Sequence, residues 1–206
     1  MDLAFFLKSF IALFTIIDPI GGAPFFLSIT ANYSEKDKRR IALRASLTIL
    51  ITLSLFLFFG NYLLSFFNIS LPSFKIAGGI LLFLTAMEML LGKERSAKAT
   101  PEEEREVQKK EDVSVVPLGI PYLAGPGAIT TVIILTEGRG LPEKLTVFTT
   151  ILLVAGITYL ILSHSNKIFK FFGDLGTKAV VRLLGLILAS IAIEYIFHGI
   201  KNFIPF

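Results

Sequence analysis

The sequence predicts an all-α polytopic membrane protein: six transmembrane helices, arranged as two inverted three-helix repeats, with the first and fourth helices broken. Three observations carry this. Of 206 residues, 53% are hydrophobic and mean hydropathy is +0.72, and several apolar runs exceed the roughly 18 residues needed to cross a bilayer. Two of those runs are interrupted by prolines and glycines at matching spacing. The two halves of the chain also share residues in register.

Apolar runs read against their polar punctuation give spans at Leu3 to Thr30, Ile41 to Phe67, Ser73 to Leu91, Val113 to Thr136, Leu145 to Ser163 and Val180 to Phe197. The opening Met1-Asp2-Leu3-Ala4-Phe5-Phe6 has neither a positive n-region nor a small-residue cleavage site, so it reads as the start of the first span. Ser34 is placed to cap the second helix, where Lys38, Arg39 and Arg40 crowd the membrane surface. The one long polar segment, 93–112, mixes both charge signs and reads as a cytoplasmic linker, with residues 1–92 as the first repeat and 113–206 as the second. Of the 20 Lys and Arg residues, only Lys8, Lys75, Arg139, Lys144 and Lys201 fall on the side of the amino terminus. The positive-inside rule therefore places both termini outside a cell (inner) membrane.

The repeat rests on two landmarks. Pro19-Ile20-Gly21-Gly22-Ala23-Pro24 and Pro121-Tyr122-Leu123-Ala124-Gly125-Pro126 share their proline spacing at an offset of 102, which also pairs Ser28 with Thr130. Gly79, Leu82, Ala86 and Glu88 meet Gly185, Leu188, Ala192 and Glu194 at an offset of 106. Those offsets differ by about one helical turn, which a small insertion reconciles. Three spans per repeat is an odd number, so the second repeat enters the membrane upside down, as in many secondary transporters.

The breaks carry the chemistry. Pro126 lacks an N–H and its ring collides with the carbonyl of Tyr122, so the incoming helix should stop by about Leu123. Gly125 would then cap a new helix with Pro126 in first position, opening on the N–H groups of Gly127, Ala128 and Ile129. In the first span the equivalent half-helix is expected to start at Pro24 and expose the N–H groups of Phe25, Phe26 and Leu27. Two positive helix ends at one cavity suit a carboxylate. The unwound carbonyls of residues 17–22 (Ile20 among them) and 120–125 (Leu123 among them), with Asp18, suit an ammonium group. A small zwitterion fits both. Gly21, Gly22, Ala23, Ala124, Gly125, Gly127 and Ala128 allow close backbone approach, while Thr130 and Thr131 offer hydroxyls, for the ligand or for carbonyls one turn back. The plainer reading, small residues that kink helices and let neighbours pack, also stands for any one break.

Asp18 is the one ionisable residue at a break, either a contact for ammonium or coupling proton, or a structural or interfacial carboxylate. Glu88 and Glu194 fall at symmetric depths and read either as gate or coupling residues or as interfacial carboxylates. Lys75, Arg182, Tyr195 and His198 sit near span ends and read as snorkelling side chains. The absence of cysteine removes disulfides and thiolate metal sites, and two histidines build no zinc site. No metal or cofactor is expected. His164 and Ser165 are adjacent on a helix, so they point apart and make no nucleophile pair; no enzyme activity is expected. A net charge of +4 implies no nucleic-acid partner.

The segments Asp18-Pro19-Ile20-Gly21-Gly22-Ala23-Pro24-Phe25-Phe26-Leu27-Ser28 and Pro117 to Thr131, with six spans and a charged linker after the third, make the chain resemble the MarC family along essentially its full length. That group includes small neutral amino acid transporters of the SnatA type. Gly22 stands where asparagine is common in the family's first motif. The resemblance implies uptake of glycine or alanine, driven by an ion gradient with protons as the coupling ion. Export of amino acids or other small metabolites is the alternative. Oligomeric state is left open.

Overall fold

In a computed structural model, residues 2–92 and 123–203 are described, and all their regular structure is helical. The helices are α1 (Leu3–Ile17), α2 (Pro19–Ile29), α3 (Glu35–Phe66), α4 (Leu71–Leu91), α5 (Pro126–Thr136), α6 (Leu141–Ser163) and α7 (Ser165–Phe203). Five segments among them are long and apolar enough to cross a membrane: Leu3–Ile29, Glu35–Phe66, Leu71–Leu91, Leu141–Ser163 and Ser165–Asn202. The shorter apolar helix Pro126–Thr136 joins them. The expected linker 93–112, and the fourth span from Val113 to Tyr122 with Pro121, lie outside the described residues.

Local chemistry sets the helix ends. Ser34 caps α3 by accepting from the Asp37 N–H at 3.2 Å, as its position predicts. Ser70 caps α4 through Ser73 N–H, and Gly92 ends it with φ 65°. The second helix begins six residues before the expected Ile41, because Glu35 and Asp37 suit a helix amino terminus and Lys38 pairs with Glu35 at 3.0 Å. The sixth helix likewise runs far beyond 180–197, broken only at Gly173 (φ 65°, ψ 179°). Hydropathy marks the lipid-facing stretch; helix hydrogen bonding continues into the polar flanks.

The two halves pack into each other. α4 lies along α7 and α3 along α6, while α5 fits between α3 and α4. Glycines let α4 and α7 approach closely at their seam. A Cβ on Gly79 would come within 2.9 Å of the Ala192 carbonyl and 3.1 Å of the Ile196 amide; one on Gly185 would come within 3.2 Å of the Ala86 carbonyl and 3.3 Å of Leu90. Near the helix ends Gly199 sits as closely on the Pro72 carbonyl, at 2.9 Å. These contacts run in opposite directions along the two helices, so α4 and α7 are antiparallel. Small residues allow this approach where lipid supplies no hydrophobic drive between helices. The buried interior is mainly apolar, with Leu13, Ile17, Phe26, Ile49, Leu53, Leu82, Ile151 and Leu188 essentially inaccessible, and also holds Asp18, Lys75 and several threonines.

Candidate functional site

The first span breaks at Asp18. This residue takes a left-handed conformation (φ 48°, ψ 63°), one that aspartate tolerates better than most side chains. Its amide still donates to the Phe14 carbonyl at 2.9 Å, closing α1, and its carbonyl accepts from Gly22 at 3.0 Å, opening α2. The carboxylate accepts from the Gly21 N–H at 3.0 Å. One side chain thus ends one helix and caps the next. A Cβ on Gly21 would collide with the Asp18 carboxylate, so only glycine fits beneath it.

This corrects the expected start at Pro24. The half-helix begins at Pro19, and Pro24 lies inside it, so Phe25, Phe26 and Leu27 do not open a helix. Capping explains the choice: Asp18 before Pro19 is a strong N-cap, and Ala23 before Pro24 offers no acceptor. Nor is the backbone unwound from 17 to 22, since Asp18 alone leaves helical geometry there. Pro24 still leaves the Ile20 carbonyl without a donor from its own helix.

In the fourth span Gly125 is the N-cap and Pro126 the first residue of α5, as the sequence predicts. The Gly125 carbonyl accepts from Ala128 at 3.0 Å and Ile129 at 3.2 Å. Each half-helix therefore starts on proline and runs 11 residues.

Depth and proximity follow from packing. Asp18 lies about 22 Å along the first span by helix rise, with the 11 residues of α2 still to come. It is buried, 1% exposed. Gly127 faces Leu82, the middle of α4; a Cβ there would lie 3.0 Å from Leu82 Cδ2 and 2.9 Å from Ile16 Cδ1. Ile16 is two residues before Asp18. Asp18 and the start of α5 are thus neighbours at mid-depth, and α2 and α5 run from there toward opposite ends of the bundle.

Around the breaks, Gly22, Ala23, Leu123, Ala124, Ala128, Thr130 and Thr131 are buried, Ile20, Gly21, Pro24, Gly125 and Gly127 partly so, and Pro126 is exposed. Ser28 is exposed too, whereas Thr130, its proposed counterpart, packs against Gly78. The Thr131 hydroxyl donates to the Gly127 carbonyl at 2.8 Å. Tyr195, expected to snorkel, is instead 8% exposed and hydrogen bonded to Thr131. This contact ties α7 to the opening turn of α5.

Two hydroxyls of α1, Ser9 and Thr15, are buried and make no hydrogen bond among the described residues. Most helical threonines here, such as Thr136, Thr150 and Thr158, bond to a carbonyl one turn back. Thr15, one turn before Asp18, does not. Its place between Phe14 and Ile16, three residues ahead of the carboxylate, was the available sequence signal.

Glu88 is partly buried at the carboxyl end of α4, with its carbonyl bonded to the Gly92 amide. Glu194 lies on the exposed side of α7, paired with His198 at 2.9 Å. Lys75 does not snorkel: it is buried and forms an ion pair with Glu137 at the carboxyl end of α5. His164 ends α6, its ring nitrogen bonded to the Leu160 carbonyl at 3.0 Å.

A sequence model of the MarC family integral membrane proteins matches residues 3–204. The chain belongs to the MarC family. Among its MarC relatives, UPF0056 membrane protein MJ1677 of Methanocaldococcus jannaschii is 38% identical over 98% of either chain. UPF0056 membrane protein YvbG of Bacillus subtilis is 35% identical over all of this chain and 98% of its own. UPF0056 membrane protein YhcE of Escherichia coli is 34% identical over 99% of this chain and 95% of its own. No solved structure matches this MarC chain.

Proposed function

We propose that this MarC protein is an alternating-access secondary transporter of small neutral amino acids, glycine and alanine, coupled to protons. The observation that carries the reading is the contact of Gly127 with Ile16, which sets two half-helix amino termini side by side at mid-depth. The amino terminus of α5, whose Gly125 cap brings no side chain, suits a substrate carboxylate, while that of α2 is already met by Asp18. The Ile20 carbonyl, the buried Thr15 hydroxyl and the Asp18 carboxylate supply acceptors for an ammonium group. Glycine and alanine are the substrates favoured because the residues at Asp18 and at the start of α5, Gly21, Gly22, Ala23, Gly125 and Gly127, are small and allow close backbone approach.

An inverted repeat supplies the second state. Its support is reciprocity: Gly79 sits on Ala192 and Ile196, and Gly185 on Ala86 and Leu90, each contact becoming the other under the shift of 106 residues. The proline-led half-helices correspond at 107, Pro19 to Pro126, so the four-residue insertion inferred from Pro24 is unnecessary. Exchange of conformation between two such halves opens the site to either side in turn. By the positive-inside count the termini face outward and the start of α3 faces the cytoplasm.

The test is glycine uptake into proteoliposomes under an imposed pH gradient, for wild type and Asp18→Asn. Wild type is expected to accumulate glycine and the variant to lose the gradient's drive. Absence of saturable uptake by wild type would overturn the proposal, and equal gradient-driven uptake in both would remove Asp18 from coupling. Counterflow with loaded glycine reads the direction, import or export.

A further inference from the structure

Away from the proposed site, one face of α3 carries a charged groove, walled by Tyr159 of α6, and an apolar groove lined by α3 alone. The charged groove, about 510 Å³, is lined by Glu35, Lys36, Arg39, Arg40, Leu43 and Tyr159. Glu35 is held by Lys38 at 3.0 Å and by Asn166 at 3.4 Å, and Arg40 faces Asp37 at 3.8 Å. Lys36 and Arg39 have no ion pair or hydrogen bond among the described residues and are exposed. The first turn of α3, with its positive dipole end, lies in the same groove. The groove is thus net cationic, and the Tyr159 ring of α6 forms its wall.

Below it the face turns apolar. Leu43 and Leu47 are each nearly half exposed. They lead to a groove of about 270 Å³ lined by Leu50, Ile51, Ser54, Leu55, Phe58 and Phe59. Lys36 and Ser54 are 18 residues apart, about five turns, so both grooves share one azimuth of the helix. Leu50 lies about 15 Å below Arg40 by helix rise, where the distal part of an acyl chain would lie. Phe58 closes this end against Phe148 of α6, ring centroids 6.3 Å apart.

We propose that this face of α3 is a binding site for an anionic phospholipid, its phosphate held by Lys36 and Arg39 and one acyl chain laid along Leu43, Leu47 and the Leu50–Phe59 groove. An unspecific boundary lipid needs only the apolar surface. Unpartnered cations directly above an apolar groove select a negative headgroup.

The experiment measures thermal unfolding of the purified full-length chain in detergent, titrated with phosphatidylglycerol, phosphatidylcholine or inorganic phosphate. Phosphatidylglycerol is expected to raise the melting temperature saturably, and the other two not. Lys36→Ala/Arg39→Ala, at exposed positions, should weaken the apparent phosphatidylglycerol affinity about tenfold or more, as loss of charge-assisted bonds predicts. Ile51→Trp, filling the apolar groove while leaving both cations, should weaken it as well. Equal stabilisation by both lipids, full retention of affinity in the double variant, or reproduction of the effect by inorganic phosphate alone would overturn the proposal.

Discussion

Asp18 joins a conformational role to an electrostatic one. Its left-handed backbone separates α1 from α2, its carboxyl group caps α2 through Gly21, and that group is buried at mid-depth in the bundle. The roles separate by substitution. Asparagine caps as well as aspartate and tolerates the same backbone, so Asp18→Asn should unfold at nearly the wild-type temperature in detergent. Asp18→Ala loses the cap and should be less stable by about 1 kcal/mol. If alanine and asparagine were equally stable, the cap would contribute nothing and the charge alone would explain the residue. Tyr195 shows how far a residue's surroundings can depart from its position in a span: near the end of an apolar run it resembles an interfacial anchor, yet its hydroxyl reaches Thr131 inside the bundle. Which face of a helix turns inward depends on neighbours that one sequence does not display.

At the scale of elements, α5 is held at both ends. Its first turn rests on Ile16 and Leu82, and just beyond its last turn Glu137 pairs with Lys75 of α4. Breaking that pair leaves a charge in a mostly dry setting. Lys75→Met should therefore destabilise the protein more than Lys75→Met/Glu137→Leu, with a coupling energy of about 0.5–3 kcal/mol in a thermal or denaturant double-mutant cycle. Additive effects would show the pair to be incidental. Much of this level was legible in the sequence: the apolar runs, the Ser34 cap and the start of α5 at Pro126 follow from local rules that one residue and its neighbours suffice to apply. Proline spacing points to a start at Pro24, but Asp-Pro outcompetes Ala-Pro as a helix opening, so α2 starts at Pro19. The Lys75–Glu137 pair was not legible, since its partners are far apart in sequence and meet only through the α4–α5 packing.

At the scale of the molecule, the reciprocal glycine contacts argue that α4 and α7 carry equal mechanical burdens. Gly79→Val and Gly185→Val each push a side chain onto a facing carbonyl, and each should lower stability by about 1–3 kcal/mol, measured by thermal unfolding in detergent. A large effect in one and none in the other would count against equivalent halves. In the proposed carrier a small zwitterion would bind between Asp18 and the start of α5, which are neighbours at mid-depth. The most direct measurement is equilibrium binding of radiolabelled glycine to the purified protein, wild type against Gly127→Val, whose bulk would press on Ile16 and Leu82 at the start of α5. The account predicts saturable glycine binding by wild type, displaced by alanine but not by methylamine, which lacks the carboxylate, and lost in a Gly127→Val protein that remains folded. Unchanged glycine affinity in that variant, or displacement by methylamine as effective as by alanine, would contradict it.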